Sequence, residues 1–585
     1  MSTSTARRVL LLSTTVMLGT FGLTAPPGSA ATAPAPVTWS ATHTLAFDSA
    51  RLGATRLATP IPASRRLHLA IALTPRHQAA ERRALRAMYT PGSASYHHYL
   101  TPHQWNARYA PSGSRVSAVR HYLASRGMRG LHVTGNRQLV TATATAAQAE
   151  RAFGTSLAQF RVSGQTFLAN TTVARVPTAL AGTVSAVIGL NTFQLPTPRP
   201  ARHTQASGSP DPFLLLPPKR FRRTYRTGDT SAGRRTSIAV LTQGSMLHVV
   251  ADLRTAERTY HLPRVPVTRV KVGPQSHDAA GLDEWDMDTQ TSTAMAPHVK
   301  RLYLYSVGSL TDSAIVPAFA AFVSQNRARA MSASIGGCDV GPYLDGSMLA
   351  TDQLLTQGAM QGQTLFASSG DNGSGCAYGA SVGVPTEPPG TNWPASSAYV
   401  TAVGGTSLVV DRSGRRAADP LGGTPMEYGW VGSGGGISEV ENAGWWTADS
   451  DPGYNAGLVS GGRAVPDISL DADPNVATAA AVWVKGKKEG IGGTSLSSPL
   501  MLGGWARLES GHHNRLGLAS IGLYRLYDRV NPGRSAGVPT PNPSPVPGFT
   551  DIVVGANGHY ADTPGYDMVT GLGAPVFSVL DSRLH

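Results

Sequence analysis

Cysteine is nearly absent: Cys338 and Cys376 are the only two in 585 residues. That excludes a disulfide-built scaffold and a Cys-rich zinc module. Long apolar runs are as scarce. A single stretch near the N-terminus approaches the length of a membrane span, so a multi-pass membrane protein is excluded. Lysine is missing altogether from residues 1–210, and acids almost so. Asp48, Glu81 and Glu150 stand there against 21 arginines, a net charge of +18. Residues 211–585 hold 29 basic and 32 acidic side chains, a net of −3. The whole-chain charge of +15 therefore does not describe a nucleic-acid-binding protein. It divides the chain into two unlike parts whose opposite signs suit them as partners.

What is present is ordinary for a globular chain: 41% apolar and 15% charged residues, with length enough for two or three domains. Arg7 and Arg8 precede an apolar run from Val9 to Ala25, followed by Gly28, Ser29, Ala30 and Ala31. This is the pattern of an export signal over residues 1–30, cleaved after Ala30. In an oxidising compartment the two cysteines can pair; otherwise they are buried free thiols.

Residues 36–195 read as a small α/β unit. Arg66–Leu73 alternates like a strand, and Ala79–Tyr89 has helical spacing. Thr101-Pro102-His103-Gln104 is a helix start with a capping box. Val116–Gly127 reads as a helix, Val133–Thr145 as strands and Ala146–Phe153 as a helix. The Pro-, Ser- and Arg-rich stretch 196–210 reads as an exposed linker open to nicking. Residues 211–585 alternate strands (236–242, 300–306, 363–368) with helices (283–295, 318–325), which implies a mainly parallel sheet covered on both faces.

Two segments carry chemistry. Gly492-Gly493-Thr494-Ser495 places a serine after a tight glycine turn at a helix start. Free N–H groups there can serve an oxyanion. Among the histidines of this part, His298 and His512-His513 lie in no recognisable base motif. Glu284 and Asp288 are four residues apart and so share a helix face. As structure, that is an acidic solvated face; as chemistry, it is a glutamate base oriented by an aspartate.

Taken with Ala296-Pro297, Ser368-Ser369-Gly370-Asp371-Asn372-Gly373, Trp393-Pro394-Ala395-Ser396, Gly404-Gly405-Thr406, Ser433–Gly436 and Val465–Ser469, these segments resemble the sedolisins, the serine-carboxyl peptidases. The similarity spans nearly all of residues 36–580. Residues 66–192 resemble the family's activation domain, including Tyr99-Leu100-Thr101-Pro102 and Tyr109-Ala110-Pro111. The resemblance implies a subtilisin-like α/β catalytic domain with a mainly parallel sheet flanked by helices (211–585), preceded by a small α/β, ferredoxin-like prodomain (36–195). It makes Ser495 the nucleophile, Glu284 its general base and acid, Asp288 the residue that orients Glu284, and Asp371 an oxyanion donor. The physics agrees: below about pH 5 an imidazole is protonated and a poor base, whereas a carboxyl still exchanges protons.

The resemblance also implies one structural Ca²⁺ in the segment Asp551-Ile552 … Thr563-Pro564-Gly565-Tyr566-Asp567. Asp551 and Asp567 would give side-chain oxygens, and Ile552, Thr563 and Gly565 would give carbonyls, a hard-oxygen set. Thr563 stands where relatives often have Gly, and Ser332-Ala333-Ser334-Ile335-Gly336 lacks a common aromatic. A Cys338–Cys376 bridge would tie down the Asp371 loop. The expectation is thus a secreted, monomeric, acid-acting endopeptidase made as a self-activating zymogen. Its partners would be protein or peptide substrates and its own propeptide, with no nucleic acid and no membrane after signal cleavage. The competing expectation is a catalytically inactive sedolisin-fold binding protein. The charge split further suggests that opposite charges hold the propeptide on at neutral pH and let go in acid.

Overall fold

The structure, a computed structural model, describes residues 38–195, 200–202, 214–376, 385–386, 388–411, 413–418, 426–448, 461–475, 478–532 and 543–584. The expected export signal and most of the linker lie outside these residues. Residues 39–585 form one compact unit.

The N-terminal part is a split βαβ unit. Its elements are β1 (Arg66–Leu73), α1 (Gln78–Tyr89), α2 (Pro102–Arg108), α3 (Gly113–Ser125), β2 (Arg129–Val133), β3 (Leu139–Thr145), α4 (Ala146–Phe153) and β4 (Val184–Ile188). The sheet order β2-β3-β1-β4, antiparallel throughout, is the ferredoxin-like arrangement. Thr101 and Thr145 close complete capping boxes with Gln104 and Gln148, which fixes where α2 and α4 begin. Leu67, Leu69, Ile71, Val116, Leu123, Val140 and Phe153 build a core between one sheet face and α3 and α4.

The other sheet face does not meet water. Ala70, Ala72, Leu139, Ala186 and Ile188 join the core of the larger part. This is why the alternation of β1 stops half-way: its last five residues are all buried. Neutral groups close this seam. Tyr89 Oη donates to Ala359 O (2.8 Å) and accepts from Leu518 N (2.8 Å). Gln138 and Asn136 donate to Gln357 Oε1 (2.8 and 3.0 Å), and Leu100 N donates to Met360 O (2.8 Å).

Two short strands lead on: β5 (Ala201–Arg202) and β6 (Leu214–Leu216). The larger part then runs β7 (Ile238–Gln243), α5 (Leu247–Thr259), β8 (Val267–Lys271), α6 (Leu282–Met295), β9 (Leu302–Val307), α7 (Asp312–Gln325), β10 (Ala330–Ala333), α8 (Ser347–Met360), β11 (Thr364–Ser368), β12 (Val400–Leu408), β13 (Glu427–Gly429), β14 (Ile468–Asp471), β15 (Thr478–Val484), β16 (Lys487–Gly492), α9 (Thr494–Gly511) and α10 (Ala519–Val530). The central sheet has the order β8-β9-β7-β10-β11-β12-β13, with β14 also on β12. Every pairing in it is parallel except β12–β13. A second sheet, β5-β16-β15-β6, stands beside it.

Helix α6 is not a solvated acidic face. All of its residues but Asp283 are buried, Glu284, Asp286 and Asp288 included. It is packed against α5, α9 and β15, so no side of it faces water. Among the described residues no helix is long and apolar enough to cross a membrane.

Candidate active site

Ser495 is the second residue of α9, two residues after Gly493. Gly493 has φ +100°, and a Cβ there would come 2.7 Å from Asp371 Oδ2. Glycine is what lets this turn close onto the Asp371 carboxyl. Ser495 itself is 7% exposed, at the floor of the site. The open N–H groups of the first turn of α9 give the site positive character.

Asp371 follows β11. Its Oδ1 accepts from Thr494 N and from Thr494 Oγ1, both at 2.7 Å. Thr494 Oγ1 in turn accepts from Gly370 N at 3.2 Å. One threonine thus pins the carboxyl and the loop that carries it. Burial pushes the Asp371 carboxyl above its ordinary range, which favours the protonated form. With Oδ1 taken as acceptor, Oδ2 is the atom left to carry a proton.

Glu284 is fully buried on α6 and is electrostatically engaged with the Ser495 hydroxyl, although neither Oε closes a hydrogen bond of ordinary geometry. Such contacts often tighten only when substrate arrives. Burial first, and then the neighbouring Asp288, raise the Glu284 carboxyl well above its usual range. Asp288, also fully buried, accepts from Ser334 Oγ at 2.8 Å and is raised by burial. Two carboxyls this close and this dry cannot both be ionised. The pair holds a proton and can pass it on.

His298, His512 and His513 cannot replace Glu284. His512 caps the far end of α9, about 25 Å along the helix from Ser495. It is bonded to Asp581, and His513 to Arg235. His298 lies past the opposite end of α6 from Glu284.

Other groups near the site gave no local signal in the sequence. Ser334, just after β10, fixes Asp288, and Ser332 meets Ser498 Oγ at 2.8 Å. Asp286, on another face of α6, is pushed up to about 9 by burial and by Asp252 of α5. In the segment Val465–Ser469, Asp467 is structural. It accepts from Arg463 (2.6 Å), Tyr524 Oη (2.6 Å) and Ala402 N (2.7 Å). Cys338 and Cys376 form a disulfide with Cα atoms 5.1 Å apart, five residues beyond Asp371.

At the C-terminal end Asp551 accepts from Gly565 N (3.0 Å), and buried Asp567 accepts from Val569 N and Thr570 N (2.8 Å each). Asp562, not anticipated from the sequence, joins them: burial and then Asp562 raise Asp567 well above its usual range. Among the described residues no three His, Cys, Asp or Glu side chains converge as a metal-ligand set, and no Lys or Arg ion-pairs with these aspartates. The expected set is of another kind, two carboxylates with three carbonyls. Hard oxygens carrying uncompensated negative charge fit a calcium ion.

With this geometry in hand, comparison with known proteins is direct. Residues 54–193 match the family model of the pro-kumamolisin activation domain. The chain is 29% identical over 572 residues to sedolisin of Pseudomonas sp. (strain 101), spanning 92% of this chain and 91% of that protein. It is 30% identical over 567 residues to xanthomonalisin of Xanthomonas sp. (strain T-22), spanning 88% and 65%. Among solved structures, Pseudomonas sedolisin, a serine-carboxyl proteinase complexed with two molecules of pseudo-iodotyrostatin, is 27% identical with a TM-score of 0.52. That match covers 63% of this chain and 96% of that one. The fold and site define a serine peptidase of the subtilisin-like α/β class that carries its own activation domain. Over nearly its whole length the chain is similar to the sedolisin family of serine-carboxyl peptidases.

Proposed function

We propose that the protein is a secreted, acid-acting endopeptidase made as a self-activating zymogen. Residues 1–30 direct export, 36–195 inhibit, 196–210 link, and 211–585 catalyse. The observation that carries this reading is the meeting of a buried Glu284–Asp288 carboxyl pair with Ser495, opposite the Asp371 carboxyl held by Thr494. All four positions are filled by groups able to do the chemistry, which speaks against an inactive binding protein. The disulfide suits an oxidising compartment.

Ser495 Oγ attacks the peptide carbonyl and gives its proton to ionised Glu284. Asp288, which carries the pair's proton while Glu284 is ionised, holds Glu284 in place. The carbonyl oxygen becomes an oxyanion that takes a hydrogen bond from protonated Asp371, worth about 10²–10³ in rate for such a donor. Glu284 then passes its proton to the leaving amine, and an acyl-enzyme remains on Ser495. Water attacks next, with Glu284 again taking the proton and returning it to Ser495. Asp371 is useful only while protonated, because an ionised carboxylate would repel the oxyanion. That requirement ties the reaction to acid.

Asp551 and Asp567, with the carbonyls of Ile552, Thr563 and Gly565, would hold one Ca²⁺. Its contribution is to neutralise and order this loop, not to take part in bond cleavage.

The test is to acidify purified precursor and follow its length. The wild type should shorten by itself. Ser495→Ala should remain full length, because loss of the nucleophile costs several orders of magnitude. Glu284→Gln should be nearly as impaired, since an amide cannot accept the serine proton. Self-processing by Ser495→Ala, freed of contaminating wild type, would sink the assignment.

A further inference from the structure

Strand β5 lies close to the nucleophile. It is two residues long and pairs antiparallel with β16, Ala201 opposite Gly492 and Arg202 opposite Ile491. Gly492 is three residues before Ser495. β5 is the edge of its sheet, so without it the edge of β16 is open to another backbone.

The register fixes a direction. β16 runs toward Ser495, so a chain paired antiparallel to it runs away from Ser495. Residues earlier in that chain lie nearer the nucleophile, and residues later in it lie farther off. For a peptide bound this way, the scissile bond comes first and the paired residues follow it. They belong to the leaving group.

The side chain in this register is held by two acids. Arg202 Nη2 donates to Asp283 Oδ2 at 2.7 Å, and Arg202 Nη1 donates to Glu489 Oε2. Asp283 immediately precedes Glu284 on α6. Glu489 lies on β16 two residues before Ile491, on the same strand face. The two elements that carry the base and lead to the nucleophile therefore also build the clamp. Both acids are mostly covered, with side chains 15% and 27% exposed. A guanidinium fork spans both carboxylates at once; an ammonium is a single point of charge.

We propose that Asp283, Glu489 and the open edge of β16 form a leaving-group subsite that selects an arginine two or three residues after the scissile bond. This rests on Ser495 being the nucleophile. Backbone pairing along β16 supplies affinity for any extended peptide, and the clamp supplies the selection. Partly exposed ion pairs contribute little each, so two of them should give about a three- to tenfold preference for Arg over Ala. Lysine should fall between.

The test uses the enzyme matured from full-length precursor and quenched fluorescent peptides of one alanine-rich sequence. A single Arg is walked through four positions on each side of the scissile bond, and kcat/KM is read against the peptide without Arg. Arg at the second or third leaving-group position should raise kcat/KM about three- to tenfold, and Arg at the other positions should do less. In Glu489→Lys the Arg/Ala ratio at that position should fall to one or below, while a Glu there should become preferred. No preference on the leaving-group side, or a preference that survives Glu489→Lys unchanged, would overturn the proposal. If matured wild type cleaves none of the peptides, the nucleophile assignment fails and takes the subsite with it. Cleavage without selection overturns the subsite alone.

Discussion

Asp371 offers the sharpest test of how the site depends on acid. Its Oδ1 accepts two hydrogen bonds from Thr494, so Oδ2 is the atom available to the oxyanion. Asp371→Asn keeps the acceptor and puts an N–H where the O–H was, at every pH. A neutral amide is a weaker donor than a carboxylic acid facing an oxyanion, and we expect kcat to fall about tenfold, a difference of about 1.4 kcal/mol. Asp371→Ala removes the donor outright, for a loss of about 10²–10³ in kcat. It also strands two Thr494 donors, at about 1–3 kcal/mol of stability for each that finds no water. The discriminating measurement is kcat against pH on the matured enzymes. In the wild type, activity should fall as pH rises through the Asp371 titration, which burial has moved upward. In Asp371→Asn that limb should vanish or move. An Asn variant with the wild-type alkaline limb would show that another group sets it, and the donor role would be lost with it.

Chelating calcium should lower the melting temperature of the matured enzyme. An ion present at 100 times its Kd contributes about 2.7 kcal/mol; Asp567→Ala should reproduce the loss, and unchanged melting in both would leave this loop a plain turn. Stability should be greatest in acid. Asp286 is raised to about 9, and Asp352 and Glu509 to about 7, all chiefly by burial. A raised carboxyl stabilises the fold fully below its unfolded value near 4, and that contribution is lost as pH rises through the folded value. For fully buried Glu509 the loss is about 3 kcal/mol. Melting temperatures that rise between pH 4 and pH 9 would contradict this. Finally, affinity of the 36–195 segment for matured Ser495→Ala enzyme should change only slightly with salt at neutral pH; a steep salt dependence would restore charge as the force that docks it.

Local order was readable where the sequence itself punctuates it. Arg66–Leu73 and the capped start at Thr101 carry their own signals. Burial was not readable at α6. An apolar stripe marks a helix with one wet side, and α6 has none, so Thr, Ser and Asp fill positions where periodicity would otherwise show. Ser495, Glu284 and Asp371 stand out by type and motif. Thr494 and Ser334 do not, because their work is done on residues distant in sequence, and a hydroxyl carries no mark of its partner. Asp562 and the Arg202 clamp were hidden for the same reason.

The charge asymmetry looked like the glue of the zymogen, yet the seam is built otherwise. Of 17 described arginines between Arg51 and Arg175, 14 remain exposed although the two parts are docked. On this seam Arg51 pairs with Glu439 of the larger part at 2.5 Å, both largely in water. An exposed pair of this kind contributes about 0–1 kcal/mol. Against it stand the shared core around Ala70, Ala72, Ala186 and Ile188, the two hydrogen bonds of Tyr89 and the Gln357 pair. Such neutral contacts do not respond to protonation between pH 7 and pH 4. The place where charge does bridge the parts is Arg202, held by Asp283 and Glu489 beside Ser495. That junction stands apart from the neutral seam, so cutting of the linker beside the nucleophile is expected before release of residues 36–195 and not after it.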